Sequence, residues 1–241
     1  MNETTDGEAA IRVTVYRRRA GDTDPHYDDF DVPYRPGMTV LDILMSIRSH
    51  QDAELTFRHS CLHASCGTCG MRVNRRERLA CVTPAGAPGD QVLIEPLAGA
   101  EVRSDLVVDM RPFYESLDAV GRPLLRGDEH NHDGHRLEDC IECSLCTSAC
   151  PVTATDGRYA GPAVLAATER VLREPRGHDA AAVLERADRE QGAWRCHLAL
   201  ECSQVCPAGV DPAGAIMRLR RDLLRRHLAL HVHRARNGRR S

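Results

Sequence analysis

Cys140-Ile141-Glu142-Cys143-Ser144-Leu145-Cys146-Thr147-Ser148-Ala149-Cys150-Pro151 spaces four cysteines as C-x2-C-x2-C-x3-C and closes them with a proline. This is the run of bacterial ferredoxins, in which the fourth cysteine ligates a neighbouring cluster. The x2 steps let three thiolates wrap one cluster. The x3 step and the proline send the fourth into a helix that leads away. Downstream, Cys196, Cys202 and Cys206-Pro207 repeat the pattern. Aligned on the final Cys-Pro, Cys150 matches Cys206, Cys146 matches Cys202, Cys140 matches Cys196, and Cys143 falls on Ala199. The crossing rule assigns Cys140, Cys143, Cys146 and Cys206 to a [4Fe–4S] cluster and Cys150, Cys196 and Cys202 to a second one. A methyl group cannot ligate iron, so Ala199 predicts that the second cluster is [3Fe–4S]. The competing arrangement keeps a fourth iron on water or on His197.

Upstream, Cys61, Cys66 and Cys69 are spaced C-x4-C-x2-C, and Cys81 follows after a strand-length gap. This is the spacing of plant-type [2Fe–2S] ferredoxins, where a compact loop wraps one side of the cluster and the last thiolate comes from an adjacent strand. Gly67 and Gly70 let the backbone approach closely. Zinc is the alternative occupant, but structural zinc sites favour two C-x2-C pairs and this group has one.

These groups use all eleven cysteines of the 241-residue chain. The start, Met1-Asn2-Glu3-Thr4-Thr5-Asp6, is polar and acidic and does not read as a signal peptide. A reducing compartment is therefore expected, with the thiols as metal ligands rather than disulfides. Hydrophobic content of 42% is ordinary, whereas aromatics are scarce at 4%; clusters would fill the interior in their place. No apolar run approaches the roughly 18 residues that read as a membrane span, so the chain is expected to be soluble or peripheral. All 32 basic residues are arginine, which is read as genome composition.

The rest of the chain supports two domains, 1–105 and 106–241. Ile11, Val13 and Val15 alternate with polar residues as a strand, and Tyr27 to Tyr34 reads as a second. Thr39 caps a helix carrying Val40, Ile43, Leu44 and Ile47 on one face, with Asp42 at its third position. Gln91 to Glu95 is a returning strand. From Asp105 to Val120 the spacing reads as helical, interrupted by Pro112; Gly127 to Asp139, with His130, His132 and His135, reads as linker. Helices are expected from Pro162 to Glu174, from Asp179 to Gln191, and from Asp211-Pro212 onward with Ile216, Leu219, Leu223 and Leu230 as the apolar stripe.

The order of the three cysteine groups, the last lacking its second cysteine, resembles the iron–sulfur subunit of succinate dehydrogenase and fumarate reductase. Arg58-His59-Ser60-Cys61, Leu79-Ala80-Cys81-Val82-Thr83-Pro84, Asp105-Leu106-Val107-Val108-Asp109-Met110, Gly161-Pro162-Ala163 and Arg195-Cys196-His197 are similar to that family. The resemblance implies an α+β chain: an N-terminal β-grasp [2Fe–2S] ferredoxin-like domain followed by an all-α helical ferredoxin domain. It also implies a flavoprotein partner with FAD facing the [2Fe–2S] cluster. A membrane anchor subunit with quinone, and haem in some members, would face the [3Fe–4S] cluster. Such a complex works in the tricarboxylic acid cycle, at the cytoplasmic face of a bacterial plasma membrane, with this subunit peripheral. Pro151 and His197 match quinone-proximal positions. The stretch Pro151-Val152-Thr153-Ala154-Thr155 lacks the aromatics common there, which favours menaquinone over ubiquinone.

The arginine-rich end, His227 to Arg240, carries no aromatic residue for base stacking. It reads as a tail near an anionic membrane face rather than a nucleic-acid site. The expected activity is electron relay, with no catalytic residue for succinate on this chain. A complex taking electrons from thiols, and a zinc-stabilised binding protein, are the alternatives.

Overall fold

The computed structural model describes residues 9–19, 22, 24–120, 139–173 and 180–237, with side chains as far as His231. The linker segment with His130, His132 and His135, the Asp179 cap and the last residues of the arginine-rich tail lie outside the described residues. The chain forms two compact units: Met1–Met110 with Ile141–Ala149, and Arg111–Cys140 with Cys150–Ser241.

In the first unit, β1 (Ala10–Arg17) buries Ile11, Val13 and Val15 on one face. It pairs antiparallel with β2 (His26–Pro33) and parallel with β5 (Gln91–Glu95). A hairpin of β3 (Gly70–Val73) and β4 (Arg76–Leu79) completes the sheet in the order β2-β1-β5-β3-β4. Asn74 and Arg75 at its tip both have positive φ, 49° and 64°, as a two-residue hairpin with the right-handed twist requires. Helix α1 (Val40–His50) buries Val40, Leu41, Ile43, Leu44 and Ile47. Thr39 and Asp42 form a full capping box at its start. A mixed sheet with a central parallel pair and one helix buried by an apolar face is the β-grasp arrangement.

The expected helix from Asp105 is corrected: Val102–Ser104 (β6) and Val107–Val108 (β7) form a two-stranded ribbon, and α2 (Arg111–Asp118) starts only at Arg111. Pro112 sits in its first turn, where a missing N–H costs nothing. The cause is a buried charge. Arg17 is 1% exposed and donates to Asp105 at 3.2 Å, to Asp28 at 2.9 Å and to Asp52. Asp105, fully buried at φ 43°, also accepts from the Arg18 and Thr56 N–H groups. A residue in the left-handed region with its carboxylate so engaged cannot continue a helix. Burial opposes the Arg17 charge, but Asp52 and Asp105 outweigh it and raise its pKa.

Helix α3 (Leu145–Ser148) also belongs to the first unit. The second unit is helical, with α4 (Pro151–Thr155), α5 (Gly161–Arg173), α6 (Ala180–Ala187), α7 (Glu201–Gln204) and α8 (Pro212–Asn237). Ile216, Leu219 and Leu223 of α8 pack with Leu165, Val152, Tyr159, Ala187 and Ala193. Asp211 caps α8, accepting from the Gly214 N–H at 3.0 Å and from the Ser203 hydroxyl at 2.6 Å. Glu169, fully buried, is held by Arg173 and Arg218. Two expectations are corrected here. Leu230 is 48% exposed, and Leu224 and Leu228 beside it are exposed too, so the buried part of the stripe ends at Leu223. Helix α6 stops at Ala187, where Asp188 turns to accept from the Trp194 indole at 2.8 Å and to pair with His227 at 2.7 Å.

Candidate iron–sulfur sites

The first four cysteines lie on the β-grasp unit. Between Cys61 and Cys69 the backbone turns repeatedly through the left-handed region at Leu62, Ala64 and Gly67, with φ of 65°, 61° and 70°. This coiling points the N–H groups of Ser65 and Cys66 at the Cys61 sulfur, each at 3.3 Å. Amide N–H groups aimed at sulfur favour the thiolate, the form that ligates iron. The His63 backbone N–H leads this effect and, with Cys66 and Ser65, brings the Cys61 thiol down to about 7. Cys69 and Cys81 are buried, the latter on a 3-10 turn, Ala80–Val82, after β4. Burial pushes Cys69 up to about 12, and its neighbours include Cys81 and Cys66. Burial thus favours the neutral thiol at Cys69 in the bare chain. Four thiols, with backbone N–H groups aimed at one of them and two of the others buried, form a donor set that suits a cluster held by four thiolates.

This loop rests on the second cysteine run. A Cβ on Gly67 would stand 2.8 Å from both the Cys143 Cβ and the Ile141 carbonyl, and one on Gly70 would stand 3.2 Å from the Cys143 carbonyl and the Leu145 side chain. The run is anchored by Ser148, whose hydroxyl donates to Glu77 at 2.9 Å and accepts from the Ala98 N–H at 2.8 Å.

The second and third runs share one backbone. Glu142 and Ser144 have φ of 53° and 63°; Leu198 and Leu200, at the same offsets after Cys140 and Cys196, have 58° and 65°. Each run then makes one short helix, α3 or α7. The helices open with the same bonds, Thr147 and Ser148 N–H to the Ser144 carbonyl, Ser203 and Gln204 N–H to the Leu200 carbonyl. This shared conformation equates Cys143 with Ala199. Among the described residues no three His, Cys, Asp or Glu side chains converge as they would on a single metal ion.

In the second unit, Cys150, Cys196 and Cys202 line one cavity together with Tyr159, His197 and Ala199. Pro151 is also on its wall. The Leu198 N–H points at the Cys196 sulfur at 3.4 Å. Burial, then the neighbouring Cys150, raises Cys202 to about 11. Burial likewise raises the Tyr159 hydroxyl, followed by Cys196 and Cys150. Cys140 and Cys206 belong to this unit, Cys143 and Cys146 to the first. Sequence reasoning missed Arg220, which donates to the Ala193 carbonyl at 2.9 Å, the Trp194 carbonyl at 3.0 Å and the Cys196 carbonyl. Only its place one turn after Ile216 on α8 hinted at this clamp. Tyr159 was missed as well, being one of few aromatics and next to Gly161-Pro162.

A β-grasp sheet carrying a plant-type cysteine loop, followed by helices carrying two ferredoxin runs, defines an iron–sulfur electron-transfer protein. A 2Fe-2S iron-sulfur cluster binding domain model matches residues 10–115, and a 4Fe-4S dicluster domain model matches residues 136–210. The chain is 35% identical over 221 residues to the fumarate reductase iron-sulfur subunit of Escherichia coli, covering 86% of this chain and 90% of that one. It is 39% identical over 223 residues to the subunit of the same name from Mycobacterium tuberculosis, with the same coverage, 86% and 90%. A chain of the Mycobacterium smegmatis Sdh1 complex, in its apo form, superposes with a TM-score of 0.80 at 25% identity, covering 91% of this chain and 97% of that one. The chain belongs to the family of iron–sulfur subunits of fumarate reductase and succinate dehydrogenase, the electron-relay subunits of those oxidoreductases. Among the described residues no helix is long and apolar enough to cross a membrane.

Proposed function

We propose that this chain holds [2Fe–2S] on Cys61, Cys66, Cys69 and Cys81, [4Fe–4S] on Cys140, Cys143, Cys146 and Cys206, and [3Fe–4S] on Cys150, Cys196 and Cys202. On this reading it links FAD in a flavoprotein partner to menaquinone at a membrane anchor subunit. It sits peripherally, at the cytoplasmic face of a bacterial plasma membrane, with residues 1–105 toward the flavin and 106–241 toward the quinone. The clusters, when bound, supply three one-electron carriers in series. The chain's own residues do the rest. N–H groups of Ser65 and Cys66 stabilise negative charge on the Cys61 sulfur, and that of Leu198 does so at Cys196, which tunes each potential. Ala199 withholds a fourth thiolate. Arg220 fixes the backbone on both sides of Arg195 so that Cys196 holds its place. His197 and Pro151, which line the same cavity, are the residues this reading puts nearest the quinone.

The observation that carries this reading is the cavity that gathers Cys150, from the second run, with Cys196 and Cys202 from the third. It is tested by iron and acid-labile sulfide analysis of the full chain isolated with its partners. Ligand counting gives about nine irons per chain, with a three-iron EPR signal in the oxidised state. Zinc without sulfide would end the redox reading, about six irons with no signal from the third site would end the three-cluster one, and about ten with no three-iron signal would put [4Fe–4S] at the third site.

A further inference from the structure

Tyr159 is 6% exposed, and its hydroxyl is shielded from solvent; among the described residues no well-formed hydrogen bond satisfies it, and the acceptor it faces is the Cys196 sulfur. A buried hydroxyl left poorly satisfied is costly, so a native fold keeps one where it has an acceptor to serve, here a sulfur. The ring packs in the core with Cys150, Leu165 and Ile216, and the residue lines the cavity of Cys150, Cys196 and Cys202. The turn that presents it is fixed at both ends. The Tyr159 N–H donates to the Asp156 carbonyl at 3.1 Å, and the Ala160 N–H to the Gln191 carbonyl at 2.9 Å. Asp156 is itself tied to Arg195, the residue before Cys196, at 3.1 Å. The cavity walls near the three sulfurs are largely apolar, with Val152, Ala199 and Ala213 among them; Tyr159, His197 and Glu201 are the polar side chains on the lining.

We infer that the Tyr159 hydroxyl donates a hydrogen bond to a sulfur of the cluster held by Cys150, Cys196 and Cys202, on its Cys196 side, and thereby raises that cluster's reduction potential. The inference rests on the cluster assignment proposed above. The sign follows from charge: reduction makes the cluster more negative, and a donor to sulfur stabilises the more negative state. Tyr159 is a tuning residue; it neither ligates iron nor meets a substrate.

The test is Tyr159→Phe in the full chain isolated with its partners, which keeps the ring and removes one oxygen. Redox titration followed by low-temperature EPR reads each cluster separately. Loss of one hydrogen bond to a charged acceptor predicts about a tenfold change in the reduction equilibrium, a midpoint lower by about 59 mV for one electron. The other two clusters should not move. An unchanged midpoint overturns the inference. If the phenylalanine variant fails to retain its cluster, 3-fluorotyrosine at position 159 provides the opposite arm. It is a stronger donor of nearly the same shape, so the midpoint should rise, and no rise overturns the inference. A native protein with no three-iron signal would sink the cluster assignment instead; the tyrosine effect would then be read on the reduced four-iron signal from that site.

Discussion

Gly67 of the first cysteine loop lies so close to Cys143 of the second run that a single added methyl would stand 2.8 Å from the Cys143 Cβ. The same methyl would meet the Ile141 carbonyl, which is backbone and cannot swing aside. At φ 70°, any L side chain also pays about 1–2 kcal/mol for the left-handed conformation. The contact joins a loop proposed to carry one cluster to a run that supplies Cys143 and Cys146 to the next, and it is close only because position 67 has no side chain. Gly67→Ala should therefore lower iron content at both sites and slow electron transfer between them. Iron analysis and the [2Fe–2S] EPR signal check this; unchanged iron with unchanged signals would mean that the two segments separate freely.

Arg17 and Asp105 form a second relationship, structural rather than redox. Both are buried, and Arg17 has further partners in Asp28 and Asp52. Removing one partner of a buried pair leaves an uncompensated charge and costs about 3–5 kcal/mol. Because Asp52 and Asp28 remain, Asp105→Leu should fall at the low end of that range, about 3 kcal/mol. For a chain of this size that lowers the thermal midpoint by about 6 °C or more. The double variant Arg17→Met with Asp105→Leu should recover most of the loss. A single variant as stable as the parent would show that the pair contributes nothing.

The same pair marks the limit of what the sequence discloses. The strand of Ile11, Val13 and Val15, the Thr39 cap and the α5 start at Gly161-Pro162 are local: periodicity and capping chemistry reveal them, and the structure has them. The β6–β7 ribbon is not local. Asp105 leaves the helical region because it meets Arg17, 88 residues earlier, and no window of spacing contains that fact. The β3–β4 hairpin escaped notice because each strand has only four residues and the pattern Gly-Met-Arg-Val is too short to show a period. At the candidate sites the cysteines announce themselves by spacing. Tyr159, Arg220 and Ser148 do not, because each acts through partners far along the chain.

Ala199 provides a test of the three-iron assignment. The shared backbone of the two runs puts its methyl where Cys143 carries a thiol. Ala199→Cys should restore a fourth ligand and convert [3Fe–4S] to [4Fe–4S]. The oxidised three-iron cluster is paramagnetic, so its EPR signal should disappear from the isolated variant, with one more iron per chain. Persistence of the signal at full intensity would show that position 199 does not face the open corner of the cluster.

The crossing of ligands gives the last prediction. Cys150 follows Cys146 in the second run, yet it shares a cavity with Cys196 and Cys202 of the third. The cause is the chain path: Pro151 opens α4, which carries Val152 into the core with Leu219 and Leu223, so the preceding cysteine faces that core. Cys206, placed identically before Pro207, is assigned by the same rule to the cluster of Cys140, Cys143 and Cys146. Serine is a poor iron ligand beside thiolate, so each substitution should weaken one cluster and spare the other. Cys150→Ser should diminish the three-iron EPR signal while leaving the reduced four-iron signal at parental intensity. Cys206→Ser should do the reverse. If Cys150→Ser instead abolishes the four-iron signal and spares the three-iron one, each run would ligate its own cluster, and the three-iron site would have to find its third thiolate at Cys206.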